Sequence, residues 1–225
     1  MFAVRFRSSC IIAVCTVLAL FLGGYVLFGV IVLISLVGIM EMYRVVGVNK
    51  TLVGGIGYLA CVAYNTLLLV SEKAYRTEFF IAFFLILMLA YVFTFPKYRA
   101  EQITMVFFGF FYVAVMLSFV WQLRINEGGA YLVWLIFIGS WGSDTCAYLV
   151  GRKFGKHKIV PKLSPKKSLE GCIGGILGAA ALGALYGAIF ASNLTIFSIP
   201  VLSCAIMGAA SSVISQLGDW AASAI

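Results

Sequence analysis

The stretch GCIGGILGAAALGALYGAIFA, Gly171 to Ala191, contains no charged residue, and every fourth position from its start is glycine or alanine: Gly171, Gly175, Ala179, Gly183 and Gly187. A helix needs about 20 apolar residues to cross the hydrocarbon core of a bilayer, so this segment reads as a transmembrane helix. Residues four apart share one helical face. The five small residues therefore form a ridge without side chains, along which another backbone can approach closely.

The rest of the chain has the same character. Of its 225 residues, 63% are hydrophobic and 11% charged, with a mean hydropathy of +1.09. Soluble domains carry about 25% charged residues, so a water-soluble fold is excluded. Apolar runs near 10–22, 25–40, 52–70, 79–95, 103–121, 130–150, 171–191 and 198–217 predict an all-α, polytopic integral membrane protein. About eight spans are expected, the first two forming a short N-terminal hairpin. We read a single transmembrane domain over 1–225, with N-terminal spans in 1–128 and a catalytic region beginning at 129–225. The basic, then apolar N-terminus continues past Gly23-Gly24 without a clear cleavage site, so it is expected to be retained.

Charge sets the expected orientation. Seven of the sixteen Lys and Arg residues lie between Arg152 and Lys167. With eight spans and both termini cytoplasmic, thirteen of the sixteen fall on the cytoplasmic side, leaving Lys73, Arg76 and Arg124 opposite. Treating 10–40 as one span gives a weaker asymmetry, so the positive-inside rule favours the hairpin. The net charge of +8 comes largely from this one loop. A basic patch beside a bilayer suits lipid headgroups or a polyphosphate ligand, and no nucleic-acid partner is expected. The six cysteines (Cys10, Cys15, Cys61, Cys146, Cys172, Cys204) lie singly in or beside apolar runs and read as small buried hydrophobes, not metal ligands or disulfides.

Two carboxylates stand apart. Asp144 lies within an apolar segment, with Ser140 and Tyr148 one turn to either side. A charged side chain central in a span costs about 2.5–3.5 kcal/mol, so it normally faces a cavity, an ion or a partner. Asp219 closes a polar stripe on the last span, comprising Gly208, Ser211, Ser212, Ser215, Gln216, Asp219 and Ser223, which cannot face lipid. Between the two aspartates runs the basic segment. Ser164-Pro165 is a helix-start signal and Ser168 a second one. Free N–H groups at such a start, with Lys166 and Lys167, are expected to bind an anion. Aspartates for a divalent cation and lysines for phosphates are what phosphoryl or nucleotidyl transfer requires. His157, the one histidine, reads as a solvated loop residue.

The strings SDTCAYLVGRKFGKHK (Ser143 to Lys158), SPKKSLEG (Ser164 to Gly171) and SQLGDWAAS (Ser215 to Ser223) resemble the phosphatidate cytidylyltransferases, the CDP-diacylglycerol synthases. The motif resemblance covers the chain from about residue 139 onward. It implies transfer of a cytidylyl group from CTP to phosphatidic acid, giving CDP-diacylglycerol and pyrophosphate with Mg²⁺ as cofactor. Carried over, it makes Asp144, Asp219 and Lys167 catalytic and Asp144 and Asp219 metal ligands. Lys156, Ser164, Lys166, Ser168, Glu170 and Gln216 become substrate-binding residues. The implied setting is the lipid bilayer of the cell inner (plasma) membrane, and a homodimer is left open. In that family a Lys-Arg pair, Lys-Asp, His-Gly-Gly and an Asp-Arg-x-Asp run follow. None occurs before Ile225, so the expectation is a truncated chain whose own activity is in question. The rival readings are a transporter, which predicts a symmetry between halves that is not visible here, and a CTP-dependent polyprenol kinase. A CDP-alcohol transferase fits less well, because its paired-aspartate helix motif is absent.

Overall fold

The computed structural model describes residues 13–70, 75–161 and 164–224. Arg5, Arg7, Cys10, Lys73 and Lys162, which figure in the charge and cysteine readings, lie outside these residues. The elements are α1 (Ala13–Leu22), α2 (Gly24–Val45), α3 (Leu52–Val70), α4 (Arg76–Phe93), α5 (Ala100–Ile125), α6 (Gly129–Phe154), α7 (Leu169–Ile189) and α8 (Pro200–Ala224). Among the described residues there is no strand, only an isolated bridge between Lys158 and Ser168. The protein is thus a polytopic, all-helical membrane protein. Among the described residues seven helices, α2 to α8, are long and apolar enough to cross a bilayer. The first of the eight anticipated spans is shorter: α1 covers ten described residues and ends where Gly23 and Gly24 take positive φ values of 60° and 48°. Such φ values suit glycine, which has no Cβ to clash.

Two compact units divide the chain, Met1–Gln122 and Leu123–Ile225. Lipid tails are as apolar as leucine, so burial from water cannot hold these helices together and shape must. In the first unit Tyr43 of α2 is fully buried, and its hydroxyl donates to the Val106 carbonyl of α5 at 2.8 Å. Gly57 of α3 lies under the Tyr43 ring, and a Cβ at Gly109 would come within 3.0 Å of that ring. Around this contact Tyr64, Phe83 and Phe110 pack edge-on or tilted at centroid separations of 4.7–5.7 Å.

In the second unit the small-residue ridge packs as its spacing predicts. The buried residues of α7 are Gly171, Gly175, Ala179, Gly183 and Gly187. A Cβ at Gly171 would stand 2.9 Å from the Ala147 carbonyl oxygen of α6, and one at Gly187 2.6 Å from the Pro200 carbonyl oxygen of α8. One ridge thus seats both neighbours. Helix α6 is interrupted by a π turn, Ile138–Gly142, just before Ser143 and Asp144. A π turn inserts an extra residue per turn. Gly139 within it lies against Ser211 of α8, too close for a side chain.

Three local expectations change. Ser164-Pro165 forms a turn and starts no helix, since α7 begins at Leu169 with Ser168 as N-cap, its Oγ accepting from the Gly171 N–H at 3.2 Å. Arg152 and Lys153 belong to the last turn of α6, where cations suit the carbonyl end of the helix, so the basic loop proper begins at Gly155. The five described cysteines are free, but Cys15 is exposed, and only Cys61 and Cys204 are fully buried.

Candidate functional site

The end of α6, the loop, the start of α7 and the far half of α8 meet around a cleft of about 180 Å³. It is lined by Asp144, Ala147, Tyr148, Lys166, Lys167, Ser168, Gly171, Cys172 and Gln216. That is below the ~300–1,000 Å³ of sites that enclose a whole small molecule, so the cleft has room for part of one, a group the size of a phosphate. Gly171 belongs to the α7 ridge and also lines the cleft, so the residue that lets α6 approach shares that lining with Asp144, Lys166 and Lys167.

The floor is a buried polar network. Ser143 and Ser212, both fully buried, share a hydrogen bond of 2.7 Å. The Gln216 Nε2 donor group reaches Ser212 Oγ at 3.1 Å, the Cys172 carbonyl at 3.2 Å and Ser143 Oγ at 3.3 Å. One amide thereby ties α8 to α6 and α7. Ser215 Oγ donates to Ser140 Oγ at 3.1 Å. From Gly208 to Gln216 the polar stripe of α8 therefore faces other helices, while Asp219 and Ser223 are exposed, and its buried polar members are satisfied in the way a low-dielectric interior requires.

Above this floor stand the charges. Lys167 Nζ pairs with Asp219 Oδ2, and the lysine side chain is the more enclosed partner, 27% exposed against 57%. The same ammonium lies 5.6 Å from the centroid of the Trp220 ring. Asp144 feels the charges of both Asp219 and Lys167. The structure thus brings Asp144, Lys166, Lys167, Ser168 and Gln216 to one cleft and joins Asp219 to it through Lys167.

Glu170, Lys156 and Ser164 sit elsewhere. The Glu170 carboxylate turns back on the loop, accepting from the backbone N–H of Lys156 at 3.1 Å and of His157 at 3.2 Å. It also lies 2.6 Å from the His157 ring Nδ1. His157 is thus tethered, though its side chain remains 77% exposed. Ser164 closes a turn, its carbonyl accepting from the Lys167 N–H at 3.2 Å. The anion site anticipated at the α7 start loses two of its amides, because the Leu169 N–H donates to the His157 carbonyl at 2.8 Å and the Gly171 N–H to Ser168. Of the groups expected to meet an anion here, Lys166 and Lys167 remain.

Asp144 and Asp219 are the carboxylates available to a cation. Among the described residues no three His, Cys, Asp or Glu side chains cluster as a metal site. Two carboxylates still suit Mg²⁺, which commonly takes one or two of them and completes its shell with water and substrate phosphate. Three contributors escaped the sequence reading. Ser143 adjoins Asp144 but points at α8; Cys172 contributes through its carbonyl; Trp220 matters only because Lys167 folds back over it. Of these, only the position of Ser143 beside Asp144, a carboxylate in an apolar run, left a trace in sequence.

Compared with curated proteins, the chain finds no significant match. A model of the cytidylyltransferase family matches residues 3–225, nearly the full length. With the membrane-spanning helices and the lysine- and aspartate-bearing cleft, this match establishes that the chain belongs to the cytidylyltransferase family.

Proposed function

We propose that the protein transfers the cytidylyl group of CTP to the phosphate of phosphatidic acid, forming CDP-diacylglycerol and pyrophosphate for phospholipid synthesis. The observation that carries this reading is the cleft in which Lys166 and Lys167 stand beside Asp144, with Asp219 paired to Lys167, in a membrane-spanning member of the cytidylyltransferase family.

In the proposed reaction an oxygen of the lipid phosphate attacks the α-phosphorus of CTP. A new P–O bond forms, the bond between the α-phosphorus and the bridging oxygen breaks, and pyrophosphate leaves with that electron pair. The attacking phosphate is already ionised, so no side chain need remove a proton. The protein's task is to neutralise and align two anions that repel each other. Lys166 and Lys167 supply positive charge, and Asp144 and Asp219 would hold Mg²⁺, which draws charge from the triphosphate when bound. Ser143, Ser212 and Gln216 fix the backbone that carries the aspartates. The cleft sits at the loop end of α6 and α7, where a water-soluble nucleotide and a bilayer lipid can meet. We place that end at the cytoplasmic face of the plasma membrane, with both termini on the same side, on the strength of the charge asymmetry.

The test is CTP-dependent transfer by the purified chain in lipid nanodiscs containing phosphatidic acid. Radiolabel from [α-³²P]CTP should enter the lipid phase and pyrophosphate should accumulate. Label from the γ position entering a polyprenol instead would identify a kinase, and the absence of both CTP binding and transfer would remove this reading.

A further inference from the structure

Trp220 has no role in the reaction just described, yet it touches the residue at its centre. The Lys167 ammonium lies 5.6 Å from the Trp220 ring centroid while pairing with Asp219, its neighbour on α8. That distance is within the ~6 Å range of a cation–π contact, for which tryptophan is the best aromatic partner. The indole N–H is buried and meets no acceptor among the described residues. A buried donor without a partner is a cost. What the site gains from Trp220 is therefore its ring face.

This arrangement resolves a conflict in the cleft. If the Asp219 carboxylate is taken by a divalent cation, Lys167 loses its ion-pair partner and is repelled by the new charge. A lysine held by that pair alone would swing into water, since its stem has several free torsions. The ring is unaffected by the cation on Asp219 and keeps attracting the ammonium.

We propose that Trp220 is a positioning residue, which retains Lys167 at the cleft for the nucleotide phosphates once Asp219 is engaged. The inference rests on the proposed CTP reaction and names a residue that reaction does not otherwise require.

The experiment is equilibrium binding of CTP with Mg²⁺ to the full chain in nanodiscs. The proteins compared are wild type, Trp220→Leu, Trp220→Phe, Lys167→Met and the double variant Lys167→Met/Trp220→Leu. Trp220→Leu should weaken CTP binding roughly 5-fold, the value of a partly desolvated cation–π contact, and Trp220→Phe should recover part of that loss. In the Lys167→Met background Trp220→Leu should cost nothing further. An unchanged affinity in Trp220→Leu, or an equal loss in both backgrounds, would make Trp220 a packing residue and overturn the inference. Loss of binding in Trp220→Leu with full recovery of the fold but not of affinity in Trp220→Phe would also count against it. If the wild type binds no CTP, the proposed function itself fails, a result distinct from failure of the Trp220 cycle.

Discussion

Lys167 and Asp219, 52 residues apart in sequence, form an ion pair that joins the start of α7 to the far half of α8. In the proposed reaction each would compete with the other's ligand: the lysine with a cation for the carboxylate, and the carboxylate with a phosphate for the lysine. Lys167→Met should bind Mn²⁺ about 5-fold more tightly than wild type, a modest gain because Asp219 is more than half exposed. Transfer should fall on the order of 100-fold, as when one transition-state donor is removed. Electron paramagnetic resonance of free Mn²⁺ measures the first and radiolabel transfer the second. Unchanged Mn²⁺ affinity would separate Lys167 from the cation site.

The ridge of α7 makes a prediction about stability alone. A Cβ at Gly175 would stand 3.0 Å from both Gln216 Nε2 and Ser143 Oγ, whereas at Gly218 it would meet nothing within 4 Å. Gly175→Val should lower stability by about 1–3 kcal/mol through overpacking. Gly218→Ala should be neutral or slightly stabilising, since alanine is the better helix former. Thermal unfolding followed by circular dichroism in detergent distinguishes the two, and equal midpoints would refute the close approach of α6 and α7.

Gln216 gathers three acceptors around one amide group, so Gln216→Leu removes that donor from the Cys172 carbonyl and from the Ser143–Ser212 pair. A loss of about 1–3 kcal/mol is expected, the cost of unsatisfied buried groups. Ser143→Ala should lose less, because Ser212 can still accept from Gln216. A larger loss in Ser143→Ala than in Gln216→Leu would reverse their assigned importance.

Glu170 acts on the loop through backbone amides. Glu170→Ala should raise hydrogen exchange at the Lys156 and His157 amides at least 10-fold, as local opening becomes easier. His157→Ala, which leaves both amide bonds in place, should change exchange there far less. Exchange mass spectrometry of the peptide covering 152–161 reads both.

The orientation can be tested at two positions predicted to face away from the cytoplasm, Tyr25 and Ser192. Both are exposed, so single cysteines there should react with a membrane-impermeant maleimide added outside intact cells. Reaction only after the membrane is opened would invert the topology.

Much of this was visible in sequence because it depends on little beyond the chain's local chemistry. The spans follow from hydropathy, and the α7 ridge from a four-residue repeat that needs no knowledge of the partner helix. Asp144 and Gln216 stood out because polar groups in apolar runs must be accommodated somewhere, and Lys167 because it belongs to the one strongly basic segment. The Ser164-Pro165 start failed because nonlocal bonds won: the Lys158–Ser168 bridge and the grip of Glu170 on the loop hold that segment as a turn. The π turn Ile138–Gly142 has no compositional signature, and the approach of Lys167 to Trp220 exists only after α7 and α8 have packed.

The π turn at Ile138–Gly142 bears on how the gene can change. Within it, Gly139 and Ser140 touch α8; after it, Ser143 reaches α8 again and Ala147 meets α7, a sequence of contacts that depends on the one additional residue. Deleting a single codon there would leave a hydrophobic segment still long enough to span, and a more regular helix. It would also rotate Asp144 by about 100° away from the lysines. Length variation in this family should therefore collect in the connections, such as the one through Ala191–Asn193, and be purged from the middle of α6.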